Sequence, residues 1–287
     1  MKVQVLLVPY DSGNRNLRMG RGPEHFIENG LAQALEADGH EVSVEVIEAT
    51  TEFRAEVQTQ FALYRSLAKQ VAAARQDGKF PLVLSGNCGA TVGVIAGAQT
   101  QQLGVVWFDA HGEFNTPETT NSGFLDGMGL AIATGQCWTM LAASIPGFQP
   151  MHGSNILLVG ARDFDEGERE RLEEVGGTVI DGATVLQTGI REILDSVMPA
   201  FLPHVEEIHL HLDLDALDQK ETPANEWLPD GGISVNDVSE TIRRIKENRK
   251  ITSATVASFD PKYDLEGKTL NASLKLIRQM LDSNETA

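Results

Sequence analysis

Gly104-Val105-Val106-Trp107-Phe108 is an uninterrupted apolar run that ends abruptly on Asp109-Ala110-His111-Gly112-Glu113. An apolar run without polar alternation is a strand buried on both faces, as in a parallel sheet covered by helices above and below. The strand is expected over Gly104–Ala110. Others are expected at Val3–Val8, Val42–Ile47, Leu82–Ser85, Ile156–Gly160, Ile208–Asp213 and Thr255–Phe259. Helical patterns lie between them. Pro23 opens one helix, Phe26, Ile27, Leu31 and Leu35 form its apolar face, and Gly39 ends it. Leu270, Leu274, Ile277 and Leu281 repeat at helical spacing near the C-terminus. This β–α alternation predicts a three-layer αβα architecture with a mostly parallel sheet. No linker, repeat or shift of composition interrupts it, so residues 1–287 read as a single domain.

Composition narrows the function classes. Of 287 residues, 41% are hydrophobic and 22% charged, which excludes a disordered chain. Acidic residues outnumber basic ones 41 to 23, giving a net charge of −18. Such a chain repels phosphate backbones and anionic bilayers, so neither nucleic acid nor a membrane is an expected partner. No apolar run reaches the length of a membrane span. The opening Met1–Val8 reads as a first strand rather than an export signal. Cys88 and Cys137 are the only cysteines, too few for a disulfide framework, and a cytoplasmic location is expected.

In an open parallel sheet, ligands bind beyond the carboxyl ends of the strands. If the chain stays extended past Phe108, Asp109, His111 and Glu113 share one side and offer carboxylate, imidazole and carboxylate to a divalent ion. The alternative is an N-cap aspartate with a hydrogen-bonded histidine. A second cluster shifts the balance. Ile208-His209-Leu210-His211-Leu212-Asp213-Leu214-Asp215 alternates apolar and polar, so Asp213 and Asp215 share a face. Two uncompensated carboxylates there would be costly, and a cation between the clusters removes the cost. Oxygen donors with a few imidazoles suit Mn²⁺ or a similar ion better than structural zinc. His209 and His211 lie further back on the strand and read as buried structural groups or supports rather than ligands.

With these two clusters, the sequence resembles the ureohydrolase superfamily of arginases, agmatinases and related amidinohydrolases. Asp109-Ala110-His111-Gly112-Glu113-Phe114-Asn115-Thr116-Pro117 looks like its first metal motif and His211-Leu212-Asp213-Leu214-Asp215-Ala216-Leu217-Asp218 like its second. Gly22-Pro23 and Thr222-Pro223 match in order and spacing. The resemblance implies an eight-stranded, arginase-like αβα fold with two Mn²⁺ ions at its carboxyl edge. By position, it implies one ion held by Cys88, Asp109, Glu113 and Asp213. The other would be held by Asp109, His111, Asp213 and Asp215. Two such ions about 3.5–4 Å apart can acidify a shared water, whose hydroxide would attack the central carbon of a linear amidine. Glu113 would accept a hydrogen bond from that hydroxide. Family members commonly assemble into homo-oligomers.

The implied substrate is a guanidino or amidino amino acid. Asn115, Thr120 and Ser122 match the positions that meet its α-carboxylate, and Asp165 and Glu168 those that meet its α-amino group. In local terms these residues could equally make turn and cap hydrogen bonds. Four residues depart from the usual pattern: Cys88 and Asp126 stand for histidines, Glu113 for an aspartate, and Ser258 for the guanidinium-binding glutamate. Cys88 and the run Phe114–Thr120 resemble the branch that hydrolyses N-hydroxy-L-arginine. Asp126 could do acid–base work if burial raised its pKa. Ser258 cannot supply the charge that orients a guanidinium, so the substrate is less basic than arginine or Asp260 or another acid substitutes. Arg15, Arg18 and Arg21 are expected to pair with the chain's acids rather than to face substrate. A formimino amino acid hydrolase and a non-catalytic ureohydrolase-like binding protein are the rival readings.

Overall fold

The computed structural model describes residues 1–50, 53, 55–100, 102–227 and 229–282. Eight parallel strands form one sheet: β1 Lys2–Val8, β2 Glu41–Val46, β3 Phe80–Ser85, β4 Leu103–Phe108, β5 Ile156–Val159, β6 Thr178–Ile180, β7 Glu207–Asp213 and β8 Lys250–Ala257. Their order is β2-β1-β3-β8-β7-β4-β5-β6, and every pairing is parallel. The architecture is the expected αβα sandwich. β6 had no counterpart among the strands read from the sequence: three residues at the sheet edge, of which only Ile180 is fully buried, are too few to show a period.

The two faces of the sheet are packed separately. Val3, Val5, Leu82, Leu210 and Val256 meet Phe26, Leu31, Leu35, Ile242 and Ile277 on one side. On the other, Val105, Trp107 and Leu158 meet Val92, Ile95 and Leu130. Leu6, Val8 and Val83 join the second layer through Leu63, Leu67 and Val94. The helix expected from Pro23 to Gly39 is in fact two, Gly22–Glu28 and Leu31–Ala37. Gly30, at φ +87°, lets the chain break between them at little steric cost. The C-terminal helix, Lys268–Leu281, forms as its spacing predicts.

Two features aim the central strand ends. Helix Ala90–Ala98 is buried throughout and lies close against helix Glu56–Gln76. A Cβ on Gly97 would fall 2.6 Å from Ala68 O, so glycine there permits the approach that seats the loop carrying Cys88. Arg162, just beyond β5, donates to the carbonyls of Asp215 (2.9 Å), Pro229 (3.1 Å), Asp230 (3.2 Å), Gly160 (3.3 Å) and Ala216 (3.3 Å). One guanidinium thereby ties the segment after β7 to the end of β5. Arg162→Met is expected to reduce unfolding free energy by about 2–4 kcal/mol, because several carbonyls lose their donor together. Urea unfolding measures this directly; a loss under about 0.5 kcal/mol would mean the carbonyls are satisfied without Arg162.

Candidate active site

The four central strands, β3, β8, β7 and β4, deliver the site. Ala257 is in register with Asp213, and Leu212 with Phe108, so the ends of these strands lie abreast. Asp109 is wholly buried and accepts from Trp107 Nε1 at 2.8 Å and from the His111 backbone N–H at 2.9 Å. Asp213 closes β7. Its Oδ1 accepts the Asp215 N–H at 2.8 Å, while its Oδ2 accepts both the Cys88 thiol and the Ser258 hydroxyl at 2.5 Å. Asp215 lies one turn beyond the strand, in the 3-10 segment Leu214–Ala216, and accepts from Ala110 N–H at 3.0 Å. Strand alternation therefore does not carry Asp215 onto the face of Asp213 as expected; the turn does.

Two overlapping sets of metal-capable atoms result. Cys88, Asp109, His211 and Asp213 each offer a donor within 4.8 Å of the others, and Asp109, His111 and Asp215 form the second set. His211, read from sequence as a supporting group, belongs to the first set. Glu113, expected there, is in neither. The reason is local: β4 ends at Phe108, and Glu113 takes a left-handed backbone conformation, φ +57°, so the extended alternation stops before it. Its carboxylate is still buried in the neighbourhood, and Oε2 has no hydrogen-bond partner. His209 behaves as expected, with Nδ1 at 2.8 Å from Ser253 Oγ and Nε2 at 3.2 Å from Thr255 Oγ1.

The electrostatics fit a cation. Burial raises the pKa of Asp109, and the neighbouring Asp215 raises it further. Burial and the surrounding carboxylates also raise Asp213 and Glu113 well above the usual range. Burial works against charge on His111 too, yet Asp215 and Asp109 outweigh it and hold the imidazole protonated well above its ordinary range. His111 Nδ1 lies 3.3 Å from an oxygen of each. In the metal-free protein a proton on His111 thus stands where an ion would neutralise the cluster, and metal binding would release it. The orphaned Glu113 Oε2 and His211 Nε2 are further buried polar atoms that an ion and its water would satisfy.

A cavity of about 530 Å³ opens over this floor. It is lined by Cys88, His111, Glu113, Asn115, Thr120, Ser122, Asp126, Asp165, Glu168, Asp213, Asp215 and Ser258, so every residue expected in the site except the buried Asp109 reaches it. Asp260 does not line it; its Oδ1 accepts the Lys262 N–H instead. Asn115 Nδ2 donates to Asp165 Oδ2 and Asn121 Nδ2 to Asp165 Oδ1, both at 2.9 Å. Thr120 and Ser122 hydroxyls stand 3.3 Å apart on the rim. Glu168 is buried, accepting from Phe114 N–H at 2.8 Å and Asp165 N–H at 2.9 Å, and so brackets the loops after β4 and β5.

Asp126 accepts from Gly89 N–H at 2.8 Å and Asn87 Nδ2 at 2.7 Å, while burial pushes its pKa up to about 7. Arg15 pairs with Glu24 and Glu48 at the surface, as expected. Arg18 pairs with the buried Asp11 but also lines the cavity, against the expectation that it faces away from the site, and Arg21 Nε donates to Asn16 O rather than to an acid. Asn225 and Asn121 also line the cavity, and neither was singled out in the sequence. Thr222-Pro223 was the nearest signal to Asn225, whose Nδ2 donates to Ser258 O at 2.9 Å.

A model of the arginase family matches residues 1–282. The chain belongs to the arginase family. The arginase of Bacillus subtilis (strain 168) is 30% identical over 290 residues, covering 97% of each chain. Among solved structures, the arginase of Bacillus caldovelox superposes with a TM-score of 0.90 at 26% identity, covering 99% of both chains. The arginase of Entamoeba histolytica in complex with L-ornithine gives 0.86 at 25%, covering 97% of both. This arginase-family chain is accordingly a hydrolase of the ureohydrolase superfamily, in a metal-dependent family and with a candidate metal site of its own. No helix among its described residues is long and apolar enough to cross a membrane.

Proposed function

We propose that the chain is a binuclear metal hydrolase of C–N bonds in linear amidines, acting on an N-hydroxyguanidino or guanidino amino acid. The observation that carries this reading is the pair of overlapping ligand sets that share the buried Asp109. Cys88, Asp109 and Asp213 would hold one divalent ion, and Asp109, His111, Asp213 and Asp215 the other. When bound, the ions, Mn²⁺ among the candidates, supply Lewis acidity and lower the pKa of water.

The chain's own groups do the rest. Glu113 Oε2, free of other partners, accepts a hydrogen bond from the attacking water. The water oxygen bonds to the central amidine carbon as Glu113 takes one of its protons, the bond from that carbon to the substrate's chain nitrogen breaks, and Asp126 delivers the proton that the departing amine requires; the proton on Glu113 returns to solvent and Asp126 is reprotonated from it. The products are the amine and urea, or hydroxyurea from an N-hydroxy substrate. Asn115, Thr120, Ser122, Asp165 and Glu168, which line the cavity, face the polar end of the substrate, and the Entamoeba histolytica relative in complex with L-ornithine supports an amino acid there.

Ser258 favours the less basic substrate. At the place of the expected carboxylate the floor offers a hydroxyl 3.3 Å from the Cys88 thiol, both committed to Asp213. A neutral N-hydroxyguanidine loses less there than a guanidinium cation does.

Protein loaded in turn with Mn²⁺ and Zn²⁺, then given N-hydroxy-L-arginine, L-arginine and formimino-L-glutamate, tests the proposal by product. Hydroxyurea and ornithine should form with kcat/KM at least about tenfold above that for arginine, equivalent to about 1.4 kcal/mol of transition-state preference. Formamide would support the formimino rival. Fully metallated protein that turns over none of them would leave a binding protein.

A further inference from the structure

We propose that His211, rather than Glu113, completes the Cys88 metal site, and that this site is built for Zn²⁺ in preference to Mn²⁺. The inference rests on the two-metal reading above and specifies one half of it. His211 is wholly buried in β7, and its ring stacks on Trp107 with centroids 3.8 Å apart. Thr91 Oγ1 lies 2.7 Å from Nδ1 and occupies that nitrogen. Nε2 has no hydrogen-bond partner. A histidine kept for structure alone would have both nitrogens engaged, as His209 does two residues earlier on the same strand. The arrangement at His211 is that of a metal ligand: a neutral ring, fixed by stacking and by one hydrogen bond, with the other nitrogen left open. A ring nitrogen of His211 also falls within 4.8 Å of donors from Cys88, Asp109 and Asp213.

Glu113 is poorly placed to compete. Its left-handed backbone carries it off the β4 line, and its Oε2 lies 3.0 Å from where a Cβ on Gly129 would sit. That position accounts for a water-facing base better than for a ligand in a closed set. The donors then sort by softness. The Cys88 site offers one sulfur, one nitrogen and two carboxylate oxygens, a four-donor set suited to tetrahedral zinc. The His111 site offers one nitrogen and carboxylate oxygens only, which suits a harder ion. The centre is chemically asymmetric.

Cobalt reports on this directly, because Co²⁺ occupies zinc sites and absorbs in the near ultraviolet when bound to thiolate. Titration of the metal-free full chain with Co²⁺ should produce that sulfur-to-metal band, and Zn²⁺ should abolish it far more effectively than Mn²⁺. Cys88→Ser should lack the band. His211→Gln should weaken Co²⁺ binding at this site. Thr91→Val, which keeps the stacked ring and nearly its neighbour's volume, should weaken it about 10–100-fold by freeing Nδ1. Glu113→Gln should leave the band and the affinity within about threefold, a difference under about 0.7 kcal/mol. If Thr91→Val and every folded His211 variant bind like the parent while Glu113→Gln loses the band, or if Cys88→Ser retains it, the inference is overturned and the two-metal reading stands. If the parent chain binds no Co²⁺, Zn²⁺ or Mn²⁺, both fall.

Discussion

Asp213→Asn is expected to move stability in opposite directions in the metal-free and metal-loaded protein, and to lower kcat/KM by about a thousandfold or more. In the metal-free chain Asp213 is a buried carboxylate crowded by Asp109 and Asp215, and both burial and that crowding raise its pKa. Its folded value lies above the unfolded one, so at neutral pH it costs stability, and the cost grows as pH rises past the unfolded value. Asparagine removes the charge. The two groups on Oδ2, the Cys88 thiol and the Ser258 hydroxyl, can rotate to accept from the new amide, and Oδ1 can still take the Asp215 N–H. Metal-free Asp213→Asn should therefore melt above the parent. With metal the sign reverses. A ligand that saturates the folded chain at a hundred times its dissociation constant stabilises it by about 2.7 kcal/mol, and the variant forfeits most of this. Melting curves with and without chelator at pH 8, together with bound metal per chain, read both effects. A variant that retains the parent's metal affinity would remove Asp213 from the centre.

Asp126→Asn carries the next largest effect, a fall in kcat of about 10²–10⁴ with little change in KM. The same residue leaves a mark on stability. Its ordinary pKa is 3.8, and burial pushes it up to about 7 in the folded chain, against the pull of the Gly89 and Asn87 hydrogen bonds. Between those values the folded chain holds a proton that the unfolded chain has lost. Metal-free protein should thus lose stability steadily as pH rises from about 4 to about 7, with no further change from this group above. In Asp126→Asn that contribution to the slope should vanish. The slope is the readout, since an amide facing the Asn87 and Gly89 donors costs something at every pH. A parent-like slope and kcat in the variant would make Asp126 a spectator.

The sheet was largely legible because buried parallel strands leave continuous apolar runs, and both acidic motifs sit where those runs stop. What stayed hidden depends on groups that only the folded chain brings together. His211 faces Trp107 because β7 and β4 are in register at those residues, and its partner Thr91 belongs to the helix after β3. Nothing in the spacing of β7 announces either contact. Glu113 looked like a third ligand because the extended pattern was continued past Phe108, where the backbone turns left-handed. Asp126 is identifiable as a candidate from its position, but its shifted pKa comes from burial behind Asn87 and Gly89. Ser258, also left-handed at φ +65°, was read as a missing charge; in the fold it is a donor to the shared carboxylate.

The order β2-β1-β3-β8-β7-β4-β5-β6 also governs the chain's birth. β8, the last strand in sequence, is seated at the centre, between β3 and β7, whose chain neighbours are distant. Until residues 250–257 have emerged and inserted, the first-made half of the sheet and the part around β4 have no hydrogen-bonded join, and Cys88 and Asp213 are not yet neighbours. Long-range parallel pairing of this kind forms late and slowly. Assembly of the Cys88 ligand set is therefore the closing act of biosynthesis for this chain, and a ribosome-stalled fragment ending before β8 would carry every ligand yet only the Asp109–His111–Asp215 set, which the directly paired β4 and β7 bring together.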